Sequence, residues 1–380
     1  MAIINNTVNG LVLTGGGARV AYQTGVLSAI SEISREKHSQ CPFQVITGTS
    51  AGAINAACVA SYHENFQMAT QLLSEMWGTI HTNRVFRVDS ITLISRGLRS
   101  VLDMVLGRLG GNNYNRGLLD TSPLIKLLKP HLRFNAIQEH IDAGQLRALG
   151  ITAVNYANGT SKTFFQAHDD CLPWHRMRRQ AEKTNIHLKH IMASTALPIL
   201  FPPVKINNRY YGDGSLRNYT PLSSAIKLGA TKLMVIGARQ SEPSPHQPKS
   251  LQDSLSIPSV GKIIGVLINT LLLDAIDFDC ERLSRINHTI TQLSDQHSSQ
   301  LRPIDVLVIR PSEDLGRLAL DAYQDIPASL RHFINSLGKP EASADLVSYL
   351  LFEPSYTQRL IQLGYADAMK KKTDIQLFLG

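Results

Sequence analysis

At 380 residues, 43% apolar and 18% charged, the chain has material for one large α/β domain or two smaller ones, and its composition excludes general disorder. Eight excess positive charges favour an anionic surface, membrane or nucleic acid. No nucleic-acid motif accompanies them and the basic residues are mostly scattered, so charge alone decides little; transient contact with an anionic membrane surface, and no nucleic acid, is the expectation.

Four scattered cysteines, Cys41, Cys58, Cys171 and Cys280, form no C-x-x-C pair and read as inert thiols of a reducing compartment. The opening MAIINNTVNG has neither the basic segment nor the apolar core of a signal peptide. The expected location is therefore cytoplasmic, with peripheral contact at a membrane.

Gly10-Leu11-Val12-Leu13-Thr14 reads as a buried first strand that runs into Gly15, Gly16 and Gly17. Tyr22, Val26, Ile30 and Ile33 then recur at helical spacing, which predicts a helix over 18–35. A strand feeding glycines and then a helix leaves bare peptide N–H groups at a helix start, an arrangement that binds anions. A dinucleotide pyrophosphate and the oxyanion of acyl transfer are the two candidate ligands. The dinucleotide reading fails because Val20 stands where a third glycine belongs, and because the second strand ends in Gly48-Thr49-Ser50 rather than a ribose-binding acid. Gly15, Gly16 and Gly17 are therefore read as an oxyanion hole, with Arg19 beside them suited to negative charge.

The stretch 44–62, QVITGTSAGAINAACVASY, holds a short β-branched run, an abrupt Gly48-Thr49-Ser50-Ala51-Gly52, and a small-residue helix. Strand, tight turn and helix around G-x-S-x-G form the context of a nucleophile elbow. Gly48 and Gly52 allow close chain approach around a strained serine, and Ser50 becomes the candidate nucleophile.

Residues 63–81 predict an amphipathic core helix. Residues 84–117 mix apolar side chains with Arg84, Arg87, Arg96, Arg99 and Arg108, and read as a cap, a lipid-facing element, or an ordinary helix with a basic face. Asp120-Thr121-Ser122-Pro123 marks a helix start. Residues 148–154 predict a strand, and Asn158-Gly159 a hairpin turn into 161–166. His168, Asp169, Asp170, Cys171 and His175 match no zinc spacing and read as a polar loop.

A helix from 186 leads into the run 193–203, then Val204-Lys205-Ile206, a turn at Asn207-Asn208, and Tyr210-Tyr211-Gly212-Asp213-Gly214-Ser215. Asp-Gly alone is a common turn, but a carboxylate on a tight bend acquires another meaning beside Ser50. A helix over 221–228, a strand over 232–238 and a polar loop over 239–258 follow. The most apolar stretch, 257–276, has only eleven uncharged residues between Lys262 and Asp274, so it is too short to span a bilayer and reads as a core helix. A strand over 304–309, further helices and a basic Lys370-Lys371-Lys372 complete the chain.

Three blocks stand in order: Thr14-Gly15-Gly16-Gly17-Ala18-Arg19, Gly48-Thr49-Ser50-Ala51-Gly52, and Asp213-Gly214-Ser215-Leu216-Arg217-Asn218. Together with the run 193–203 they resemble the patatin-like phospholipase family. The resemblance implies a three-layer α/β fold with a central, mostly parallel sheet flanked by helices. It implies a catalytic domain over 8–240, followed over 241–380 by a helical extension with at least one further strand, packed on the same domain. It implies Ser50 as nucleophile and Asp213 as its base, a phospholipid or other acyl-lipid substrate, and no metal or organic cofactor. Two positions depart from the family pattern, Val20 and Ser215, where glycine and a glycine or alanine are usual.

Two rival readings stand beside the dyad. One of the thirteen histidines, His288 for example, could complete Ser…Asp…His in α/β-hydrolase order. A non-catalytic binding protein on the same fold is the other. Lipid class, hydrolysis against transacylation, and oligomeric state are not encoded in any motif of the chain.

Overall fold

The computed structural model describes residues 7–35, 40–87, 117, 119–240, 259–292 and 301–380. Its centre is a single sheet of ten strands. β1 (Asn9–Leu13), β2 (Val45–Thr49), β3 (Ala148–Asn155), β9 (Lys232–Ile236) and β10 (Asp305–Ile309) form a parallel block in the spatial order β10-β9-β1-β2-β3. Beyond it lie β4 (Thr160–Ala167), antiparallel to β3, and the smaller β6 (Arg179–Lys183) and β5 (His175–Arg176).

Strands covered on both faces must be apolar throughout, and β1 divides its side chains between two cores accordingly. Leu11 and Leu13 join one cluster, with helices α1 (Ala21–Ser34), α2 (Ala51–Ser61) and α3 (Phe66–Gly78). Val12 joins the other, with Leu222 and Ala225 of the helix Pro221–Lys227 and with Ile276 and Leu283 of the helix Ala275–Gln292. The result is three layers, α/β/α, with a central and mostly parallel sheet.

The C-terminal third is built into the same body. β10 extends the sheet beside β9, and the helix Pro354–Lys370 packs along α1. Gly25 and Gly364 bring those two helices together almost backbone to backbone. A Cβ at Gly25 would strike the carbonyl of Ile361, and one at Gly364 the carbonyl of Tyr22.

Several expectations shift in detail. The first helix does not run unbroken from 18, because a 3₁₀ turn, Gly17–Val20, precedes α1. The helix predicted from 186 spans only Leu188–Ser194. Asn207 and Asn208, with φ of +48° and +62°, form the turn between β7 (Val204–Ile206) and β8 (Arg209–Asp213), and two left-handed residues are the signature of a type I′ hairpin. The polar cluster near 170 is a network of ion pairs and a hydrogen bond, in which Asp170 pairs with Arg147 and hydrogen-bonds His168 while Asp169 pairs with Lys183. Most of the proposed cap over 84–117, and most of the polar loop over 239–258, lie outside the described residues.

One expectation is overturned. The apolar stretch near 260 is helical over Val260–Leu272, but it is not a core helix. Val260, Ile263, Val266, Leu267 and Leu271 are exposed, because among the described residues the cover lies on the side carrying Gly261 and Gly265.

Candidate active site

β3 is the ruler that assembles the site. β2 runs parallel to it and reaches Thr49 opposite Thr152. β8 runs antiparallel along the outer half of β3 and reaches Asp213 opposite Ala153. The two strands thus approach from opposite ends and meet where β2 stops. The next residue after Thr49 is Ser50, and its Oγ donates to Asp213 Oδ2 at 2.5 Å. Such a length belongs to a strong hydroxyl–carboxylate bond.

The serine is held in an unfavourable backbone conformation. Its φ of +54° and ψ of −134° are rarely adopted by a residue with a side chain. Three contacts fix it there. The Ser50 N–H donates to Ser194 Oγ at 2.9 Å, and Ser194 Oγ in turn donates to the Thr152 carbonyl at 2.6 Å. The N–H of Ala53 in α2 donates to the Ser50 carbonyl at 2.9 Å. Close packing does the rest. A Cβ on Gly48 would lie 2.6 Å from Ala53 Cα, and one on Gly52 would lie 2.5 Å from the Leu13 carbonyl oxygen.

Asp213 is buried and equally constrained. Its own N–H donates to the Ala196 carbonyl at 2.9 Å, while its Oδ1 accepts from the Ser215 N–H at 2.8 Å. Burial pushes its carboxyl up from 3.8 to about 6, against the hydrogen bonds from Ser50 and Ser215, which pull it down.

The glycine loop lies against the serine. A Cβ on Gly15 would fall 2.8 Å from Ser50 Cβ, and Gly17, at φ +57°, lines the same cleft as Ser50 and Asp213. Gly16 sits between them, its carbonyl accepting from the Arg19 N–H at 3.1 Å. A buried amide chain braces the loop from behind. Gln23 Nε2 donates to the Thr14 carbonyl, Asn55 Nδ2 donates to Gln23 Oε1, and Trp77 Nε1 donates to Asn55 Oδ1.

Arg19 does not join this site. Its guanidinium is buried in the C-terminal region, donating to Ser348 Oγ at 2.7 Å and Asp345 Oδ1 at 2.8 Å, with its plane over the Tyr349 ring. A buried guanidinium needs a carboxylate more than a transient oxyanion, so the charge beside the glycines is already neutralised. His288 is also elsewhere, exposed on the helix Ala275–Gln292 and bonded to Gln292 at 2.9 Å. Among the described residues, no histidine lines the cleft.

That cleft is walled almost wholly by apolar side chains such as Ile54, Trp77, Leu124, Leu197, Phe201 and Phe352. Its lining suits a hydrocarbon chain, with Ser50 and Asp213 in the wall. Ser194 and the C-terminal wall, Tyr349 to Phe352, escaped the sequence reading. Ser194 belongs to the run 193–203, a family mark that gives this serine no role of its own, and the wall lies some 300 residues from the serine it flanks. Among the described residues, no group of histidine, cysteine or carboxylate side chains could hold a metal ion.

A buried serine on a strained strand-to-helix turn, hydrogen-bonded to a carboxylate in the wall of an apolar cleft, is the geometry of a lipid acyl hydrolase. The patatin-like phospholipase family model matches residues 11–226, more than half of the sequence, and the chain belongs to that family. No curated protein matches the sequence. Among solved structures, that of VipD from Legionella pneumophila aligns over 97% of this chain and 67% of its own, at 12% identity and a TM-score of 0.37. Among the described residues, no helix is long and apolar enough to cross a membrane.

Proposed function

We propose that the protein is a serine acyl hydrolase of the phospholipase A or lysophospholipase type, working through a Ser50–Asp213 dyad. A serine hydroxyl needs a base to become a nucleophile. Asp213 Oδ2 takes the Ser50 proton as Oγ forms its bond to the ester carbonyl carbon. The carbonyl oxygen becomes an oxyanion, received by the peptide N–H groups of Gly15, Gly16 and Gly17 and by the N-terminal end of α2. Collapse of this intermediate breaks the ester bond, and Asp213 returns the proton to the departing alcohol. Water then attacks the acyl-enzyme by the same route and regenerates Ser50.

The observation that carries this reading is the 2.5 Å bond between the two side chains. Burial supports it from the side of acidity. At about 6, the Asp213 carboxyl is a stronger base than a free aspartate yet still ionised at neutral pH. The apolar cleft supports the choice of an acyl lipid over a polar ester.

The test is a panel of phospholipids and lysophospholipids, with products identified by mass, offered to the wild type, Ser50→Ala and Asp213→Asn. Ser50→Ala is expected to lose about 10⁴-fold or more in rate, and Asp213→Asn about 10²- to 10⁴-fold. A fluorophosphonate probe is expected to label the wild type and not Ser50→Ala. Labelling that survives Ser50→Ala, or lipid cleavage that survives Asp213→Asn, overturns the dyad.

A further inference from the structure

The helix Val260–Leu272, VGKIIGVLINTLL, is apolar apart from Lys262, Asn269 and Thr270, and so apolar a helix fits cover by protein or lipid on its apolar faces. Among the described residues, only one side is enclosed. Gly261 and Gly265 are buried against Ser343 and Asp345, while Val260, Ile263, Val266, Leu267 and Leu271 stand 39% to 56% exposed. These five follow the i, i+3, i+7 rhythm of a single stripe.

A second feature faces water beside that stripe. Ile199, in the loop after the helix Leu188–Ser194, is 80% exposed and has a φ of +69°. The left-handed region is strained for a β-branched residue, and an exposed isoleucine gains no burial energy in return. Folding in water selects neither the strained loop nor the bare stripe. Contact with hydrocarbon stabilises both.

The two features border one groove, lined by apolar residues that include Leu197, Ile199, Leu267 and Leu271. Leu197 also lines the cleft of Ser50 and Asp213. Leu346 of the groove lies one helical turn before Tyr349 and Leu350 of the cleft. The exposed apolar surface is therefore continuous with the candidate active site.

We propose that the helix Val260–Leu272 and the Ile199 loop seat the protein on a phospholipid bilayer, with the groove admitting an acyl chain towards Ser50. This rests on the reading of the substrate as an acyl lipid. At thirteen residues the helix is about 20 Å long, too short to span, so it lies in the interface with its apolar stripe inward. The exposed Lys262 on the same helix, and the net charge of +8, match anionic head groups.

The test uses full-length Ser50→Ala protein, so that lipid stays intact, co-sedimented with vesicles of phosphatidylcholine and phosphatidylglycerol. In that background, Val266→Ser and Leu267→Ser are each expected to weaken vesicle binding about tenfold. Both positions are exposed, so melting temperature is expected to hold. Ile199→Gly separates docking from folding. It relieves the left-handed backbone, so the melting temperature is expected to hold or rise while vesicle binding falls.

Equal binding by all variants, or Ser50→Ala protein left in the supernatant, overturns the proposal. So does self-association that Leu267→Ser abolishes, which assigns the stripe to a second copy. Cleavage of a water-soluble short-chain ester by the enzyme with Ser50 intact reports on the dyad alone. Ester cleavage without vesicle binding therefore sinks only the docking surface, and vesicle binding without ester cleavage sinks only the catalytic reading.

Discussion

Burial raises the Asp213 carboxyl from 3.8 to about 6, and that one change acts on rate and stability in opposite directions. A base must be ionised to accept the Ser50 proton, so ester cleavage is expected to fall about tenfold per pH unit below 6 and to level off above it. Stability follows the reverse course. Between pH 3.8 and 6 the folded carboxyl holds a proton that the unfolded one has released, so stability decreases as pH rises through that window. The ionised group costs about 3 kcal/mol above pH 6, and nothing below 3.8. Asp213→Asn removes the charge, keeps one amide oxygen to accept from the Ser215 N–H, and turns its Nδ2 to donate to Ser50 Oγ. The variant is therefore expected to melt above the wild type at pH 8, by an amount that shrinks towards pH 4, while its activity is lost at both. Denaturation curves across that range check the sign. A variant less stable than wild type at pH 8 would show that the carboxylate is net stabilising.

At the scale of strands and helices, Ser50 and Asp213 meet because two strands share one edge of β3. Each residue is visible locally, Ser50 in G-x-S-x-G and Asp213 in an Asp-Gly bend, but their meeting is not, since 163 positions separate them and no local pattern encodes register. The same limit hid Ser194. Its hydroxyl ties β2 to β3 at the elbow, yet serine in a small-residue run has no distinguishing mark. Arg19 misleads for the opposite reason. A cation next to three glycines points naturally to an anion in the loop, whereas its partner, Asp345, comes from 326 residues away. The helix Val260–Leu272 misleads because composition reports how apolar a segment is and not how many of its sides are covered. Ser194→Ala tests the elbow directly. It leaves the Ser50 N–H and the Thr152 carbonyl buried without that partner, at about 1–3 kcal/mol for each group. The expected result is a loss of about 2–6 kcal/mol in urea denaturation, with a fall in kcat larger than any change in KM.

Across the whole molecule, the glycine loop and the C-terminal third are one mechanical unit. Gly17 approaches the Tyr349 carbonyl so closely that no Cβ could fit. Two residues on, Arg19 anchors to Asp345 and Ser348 of the same helix, Ala344–Leu350. That helix also supplies Tyr349 and Leu350 to the cleft wall. The proposed oxyanion donors thus rest on the segment 241–380, the extension expected from the sequence to pack on the catalytic domain. A buried guanidinium that loses its carboxylate is left uncompensated, which typically costs 3–5 kcal/mol. Ser348 and the Tyr349 ring remain as partial partners, so Asp345→Ala is expected to cost about 3 kcal/mol. Arg19→Met strands only the more exposed carboxylate, but it removes several bonds at once. If the two side chains act as a clamp, the double variant costs less than the sum of the singles by about 1–3 kcal/mol. Soluble-ester kcat is expected to follow the same non-additive pattern, because both variants loosen one loop. Additive losses in stability and rate would mean that Arg19 and Asp345 serve the fold independently, and that the C-terminal third covers the site without holding it in shape.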